Sequence, residues 1–177
     1  MSVTAFHPLA RLLHWLMALL ILAMLFIGVD MVSDLSPRHP LLVELHKATG
    51  LALLVLVILR IAVRLGLPHP PLPHDLPTVQ RLAAGVSHLL LYALMLAMPL
   101  LGWAMLSAGG YPRPLQLPAI APHDLQLYAL LRQAHGWAGY LLFACVLAHL
   151  GAALLHALVR RDCVLRSMWP GPLRRGE

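Results

Sequence analysis

The sequence predicts an all-α membrane protein, an antiparallel bundle of four transmembrane helices, and three observations predict it. The 177 residues are 60% hydrophobic and 11% charged, with a mean hydropathy of +0.78, whereas soluble domains carry about 25% charged residues. Four apolar stretches, each long enough for a hydrocarbon slab about 30 Å thick, alternate with connectors rich in Pro, Gly and Asp. Within those stretches, polar groups recur at an interval of fourteen residues. The length suits one domain over residues 1–177. A net charge of +6 would suit a nucleic-acid partner in a soluble chain. In a chain this apolar it reads as basic loops gathered on one side of a bilayer, with no nucleic acid involved.

The first span covers residues 12–29, with His14 beside Trp15 near its start. No small-residue cleavage site follows it, since Val29-Asp30-Met31-Val32 is unsuited to one, and further apolar spans come later, so it is not a signal peptide. Residues 30–40, with Asp34, Ser36 and Pro37, read as a loop. The second span, residues 45–65, opens with His46-Lys47 and closes with Arg60 and Arg64. Prolines at 68, 70, 71, 73 and 77 make residues 66–77 an extended connector. The third span, residues 81–106, has His88 near its start and Gly102 fourteen residues on, and Pro99 is expected to kink it or loosen its last turns. Residues 109–122 are rich in Gly and Pro. Asp124 then caps a short amphipathic stretch, 125–132, ahead of the fourth span, 130–159.

That fourth span carries His135, His149 and His156. Fourteen residues return a helical side chain to within about 40° of its starting direction, and seven to within about 20°, so the three imidazoles share a face. His135 and His149 stand roughly 21 Å apart along the axis, near opposite edges of the slab. With antiparallel helices, one layer receives His14, Arg60, His88 and His149, with His156 a little further out; the other receives Gly28, His46, Gly102 and His135. Nine Lys and Arg fall on the side of the termini and the 66–77 connector, against Arg38, Lys47, Arg113 and Arg132 on the other, which places both termini in the cytoplasm.

Histidine at this depth needs a partner, so His14, His46, His135 and His149 are candidate ligands of a metal centre. The two glycines leave room for a flat, bulky group, which suits haem better than a bare ion. Cys145 and Cys163 form no CxxCH motif, so any haem is bound without covalent attachment. His88 and His156 read as partners of a haem propionate or a quinone. Arg60 is either a positive-inside residue or a propionate counter-charge, and Lys47 is similarly two-sided. His7, His39, His69, His74 and His123 lie in connectors and read as ordinary hydrogen-bonding residues at the aqueous edge.

These residues also carry a resemblance. His7-Pro8, Arg11-Leu12-Leu13-His14-Trp15, Leu45-His46-Lys47-Ala48-Thr49-Gly50, Leu59-Arg60, Met98-Pro99-Leu100-Leu101-Gly102-Trp103, Ala134-His135 and Arg161-Asp162-Cys163-Val164-Leu165 resemble, in order and spacing, the bacterial cytochrome b561 family. Ala48 stands where that family usually has Ser, and Cys163 where it commonly has Gly. The resemblance implies an inner-membrane protein with two b-type haems, one held by His14 and His149 on the cytoplasmic side, the other by His46 and His135 on the periplasmic side. It implies ubiquinone as electron acceptor, and some members are superoxide oxidases that pass an electron from superoxide to ubiquinone. A haem with imidazole on both faces has no vacant position and suits electron transfer. Two other functions compete with this one. A cytochrome b anchor would relay electrons for a periplasmic dehydrogenase or hydrogenase as its redox partner protein. A divalent-metal transporter would need carboxylates at mid-membrane depth, and the four spans have none.

Overall fold

Runs of Leu, Ala, Val and Met without interior Asp or Glu leave the backbone one way to satisfy its amides in an apolar medium, the helix. The computed structural model describes residues 5–33, 37–71 and 76–169. Asp34, Ser36, Pro73 and His74 of the connectors, and Arg174 and Arg175, two of the nine basic residues counted on the side of the termini, lie outside the described residues. The chain forms α1 (Pro8–Ser33), α2 (His39–Gly66), α3 (Thr78–Ala108), α4 (Leu125–Leu154) and a short α5 (Val164–Met168). A 3-10 turn occupies Pro114–Gln116, and α4 continues into a π-helical turn, Leu155–Arg160. Four helices, α1, α2, α3 and α4 with its π turn, are long and apolar enough to cross a membrane. No strand occurs among the described residues.

Each long helix overruns the apolar stretch that announced it. The expected loop at residues 30–40 is correspondingly short, since α1 runs to Ser33 and α2 starts at His39, which is helical and not a connector residue. Apolar length measures the hydrocarbon slab, whereas the helix continues through the interfacial layer until a breaker stops it. α3 runs on through Pro99 without a break, because the flanking turns and neighbouring helices of a long membrane helix hold the segment. Residues 125–132 are no separate stretch but the first two turns of α4, since no Gly or Pro stands between them and the span.

The fourteen-residue interval builds three layers. Its midpoints on the four helices are Ile21, Leu53, Met95 and Leu142, and all four belong to the central apolar cluster around Met17, Val57 and Leu94. Val57 is fully buried. An apolar plug therefore separates the two polar layers. Close backbone packing joins the chain neighbours α1 and α2, α2 and α3, and α3 and α4, whereas α4 meets α1 and α2 mainly through side chains.

The Gly- and Pro-rich connector at residues 109–124 is tied down at several points. Trp103 Nε1 donates to the Pro118 carbonyl at 2.9 Å, Asp124 N to the Ala108 carbonyl at 3.0 Å, and Lys47 Nζ to the Pro112 carbonyl at 3.3 Å. Gly110 has φ +69°, the left-handed conformation that glycine adopts without a Cβ penalty. Asp124 caps α4 as expected, its Oδ1 accepting from Gln126 N at 2.7 Å and Leu127 N at 2.9 Å. Asp124→Ala is expected to cost about 1 kcal/mol of local stability. Amide hydrogen exchange should then accelerate at Gln126 and Leu127, while the middle of α4 stays protected.

Candidate functional site

Two clusters of imidazoles lie at opposite ends of the apolar plug. At the end where α1 begins and α5 lies, the terminal end, α1 contributes His14, α3 His88 and α4 His149. The His14 and His149 ring centroids are 6.3 Å apart with the planes at 72°, and His88 lies 5.5 Å from His149 at 67°. At the other end, His46 of α2 and His135 of α4 have centroids 6.0 Å apart, with planes at 69°. The structure thus brings together the two expected pairs, with His88 in the layer expected for it.

Arg60 enters the terminal cluster from α2. Its Nη1 donates to the Ala10 carbonyl at 3.0 Å, and its Nη2 lies 3.1 Å from His14 Nδ1. A guanidinium only donates, so Nδ1 accepts and the proton of a neutral His14 sits on Nε2. Lys47 does not point into its neighbouring imidazole pair. It forms an ion pair with Glu44 Oε1 at 2.6 Å and holds the Pro112 carbonyl, so its evident task is to fasten the 109–124 connector. His156 stands apart from the imidazole cluster. Its Nδ1 contacts Asp162 Oδ2 at 2.5 Å, and Arg160 Nε lies 3.4 Å from the same oxygen.

Asp162 is the residue that spacing arguments did not find. It lies beyond the last span, and its meeting with His156 depends on the π turn and on the left-handed Arg161, φ 55°, which bend the chain back. A signal was present in the Arg161-Asp162 pair following a helical histidine, but nothing in the sequence marks a π turn. The terminal end is completed by α5, where Arg11 Nη1 donates to the Trp169 carbonyl at 2.7 Å and Trp15 Nε1 to the Met168 carbonyl at 2.8 Å. The connector histidines behave as ordinary hydrogen-bonding or stacking residues where described. His123 Nδ1 lies 2.9 Å from the Ala108 carbonyl, and His69 stacks on Phe6.

The residues present fit a haem between each pair. A metal–imidazole bond of about 2 Å on each side of an iron places the two ring centres about 6 Å apart, close to the separations observed. At the second end, Nδ1 of both His46 and His135 is buried without a hydrogen bond of good geometry, unlike His14 Nδ1, which Arg60 occupies. A Cβ on Gly28 would approach His46 Cε1 to 3.8 Å, and one on Gly102 would approach His135 Cε1 to 3.5 Å, so larger side chains there would fill the space beside the rings. No group of three or more His, Cys, Asp or Glu suited to a bare metal ion occurs among the described residues. Facing imidazoles can saturate an iron axially, which favours outer-sphere electron transfer over oxygen activation.

A four-helix membrane protein with an imidazole pair at each end of an apolar core has the architecture of a transmembrane electron carrier. Residues 5–171 match the prokaryotic cytochrome b561 family, and the chain belongs to it. It is 31% identical over 168 residues to cytochrome b561 homolog 1 of Escherichia coli K12, covering 89% of this chain and 93% of that protein. It is 31% identical over 165 residues to a probable superoxide oxidase CybB of Yersinia pestis, covering 89% and 92%. Cytochrome b561 homolog 2 of E. coli K12 is 30% identical over 162 residues, covering 88% and 86%. Membership carries transmembrane electron transfer with haem b as the redox group, in a multi-pass protein of a bacterial membrane.

Asp162 offers a test of the terminal end. Burial alone would raise its carboxyl, but the hydrogen bonds from His156, Val164 N and Arg160 outweigh it and hold the group below the usual carboxylate range. A carboxyl lower in the folded chain than its unfolded value of 3.8 stabilises the fold above that value and loses this contribution as pH falls through the lower folded value. Docking of α5 should therefore persist from neutral pH down to about pH 5 and loosen only below about pH 4. Asp162→Asn should loosen it at every pH, read as faster hydrogen exchange across residues 162–168.

Proposed function

We propose that His14 with His149, and His46 with His135, are the axial ligands of two b-type haems, and that the protein carries electrons between the two membrane faces to ubiquinone. The observation that carries this reading is the pair of ring separations, 6.3 and 6.0 Å, across helices that are not joined by close backbone packing. When bound, haem supplies reversible one-electron chemistry. The chain's own part is to hold the two sites at fixed separation, to keep water from the plug between them, and to set the local charge.

Arg60 has a definite role in this scheme. An imidazole that ligates through Nε2 carries its proton on Nδ1, so Arg60 must leave His14 Nδ1 when His14 becomes a ligand. The released guanidinium is then a counter-charge for a haem propionate. Lys47, by contrast, acts on its neighbour His46 only by fastening the connector beside it. His88 and His156 are proposed to face ubiquinone at the terminal end, with Asp162 orienting His156 and both termini in the cytoplasm. Superoxide is the proposed donor at the opposite side, a reading supported by the name of the Yersinia relative. Two superoxide ions would each yield one electron and become dioxygen, while one quinone takes up both electrons and two protons.

The purified protein should contain two haems per chain, and His135→Ala or His46→Ala should lose one while the other keeps its Soret absorbance. Retention of both haems in His135→Ala contradicts the assignment. Superoxide should reduce the haems and then added ubiquinone, with the rate abolished by superoxide dismutase. Haem reduction by quinol but not by superoxide would keep the electron path and remove superoxide as donor.

A further inference from the structure

The outward side of α4 carries a shallow, open groove of about 470 Å³, formed by side chains of that helix alone and belonging to neither imidazole cluster. Tyr128 and Arg132 line its outer part, and Gly136, Trp137 and Tyr140 its inner part. We propose that this groove binds an anionic phospholipid of the surrounding bilayer, its phosphate on Arg132 and an acyl chain along Gly136, Trp137 and Tyr140.

Charge comes first. Arg132 is exposed and makes no hydrogen bond or ion pair with any described residue, whereas Lys47 and Arg113 at the same end are committed to Glu44 and to backbone carbonyls. No acidic residue lines the groove. A guanidinium in that setting seeks an anion, and phosphate accepts its paired N–H groups.

Depth points the same way. His135 and His149 stand roughly 21 Å apart, so a slab of about 30 Å centred between them extends about 4.5 Å beyond His135, the rise of three residues. Arg132 is three residues outward from His135 and falls on that boundary, where lipid phosphates begin. Trp137 and Tyr140 fall inside it, with rings 6.1 Å apart, while Tyr128 stands one turn further out. Aromatic residues in such positions border lipid headgroups and upper acyl chains.

Shape and symmetry select the occupant. A Cβ on Gly136 would meet nothing within 4 Å, so the face of α4 between Arg132 and Tyr140 is open and can take a thin chain. A second copy docking here by twofold symmetry would bring Arg132 toward its own equivalent, like against like. A neutral quinone could accept from the guanidinium through a carbonyl but would leave its charge uncompensated. An anionic phospholipid satisfies both the cation and the open face.

The test is native mass spectrometry of the haem-loaded full chain released from nanodiscs of mixed phosphatidylglycerol and phosphatidylcholine. The wild type should retain one phosphatidylglycerol per chain, with at least a tenfold preference over phosphatidylcholine. Arg132→Gln should reduce retention to the phosphatidylcholine level, Arg132→Lys should keep most of it, and Gly136→Leu should lower it by filling the open face. Equal retention by Arg132→Gln and wild type, a lipid-free dimer mass, or ubiquinone carried in place of phospholipid overturns the proposal.

Discussion

Polar groups placed under hydrocarbon must be answered by other groups of the protein, and in this chain that requirement shapes the bundle. An imidazole or guanidinium near the bilayer edge is costly without a partner. Inside the bundle such groups are gathered into two layers, His14 with Arg60 and His88 near His149 in one, His46 against His135 in the other. The fourteen-residue interval is the helical measure of the distance between two such layers. Because its midpoints are Ile21, Leu53, Met95 and Leu142, the same interval that pairs the polar ends also closes the middle with apolar side chains.

The two ends are closed by different means. On the side of the termini, α5 returns to α1 through Arg11 and Trp15, and the π turn with Asp162 anchors the end of α4. On the other side, the 109–124 connector is fastened by Lys47, Trp103 and Ser107, the last accepting from Ile120 N at 3.2 Å. These bonds tie the ends of the long helices to the segments that follow or precede them in the chain, which holds the two imidazole layers at a constant separation. Few residues are buried within the chain itself, and much of the Leu and Val surface faces outward. In a bilayer that surface is solvated by lipid tails, so the bundle relies on side-chain packing in the plug and on hydrogen bonds at the ends.

The family assignment and the geometry bear on different levels of the function. Membership in the prokaryotic cytochrome b561 family carries transmembrane electron transfer and haem b. The separations of the imidazoles, and the glycines beside His46 and His135, are what support the ligand assignment proposed above. Arg60 connects the two levels, since its present bond to His14 Nδ1 and a ligand role for His14 exclude one another.

The sequence by itself determined the helical class, the number of spans and the pairing of imidazole depths, because hydrophobic length and a fixed rise per residue are local properties. His14, His46, His135 and His149 could therefore be placed by arithmetic along each helix. Tertiary structure decided what arithmetic along one axis cannot: which neighbour each polar group turns to. His88 joins His149, Lys47 turns away to Glu44 and Pro112, and Asp162 reaches His156 only because a π turn and a left-handed Arg161 reverse the chain. Side-chain direction at a helix end depends on how the backbone leaves the regular 3.6-residue turn. That departure is set by contacts between distant segments, which no local spacing records.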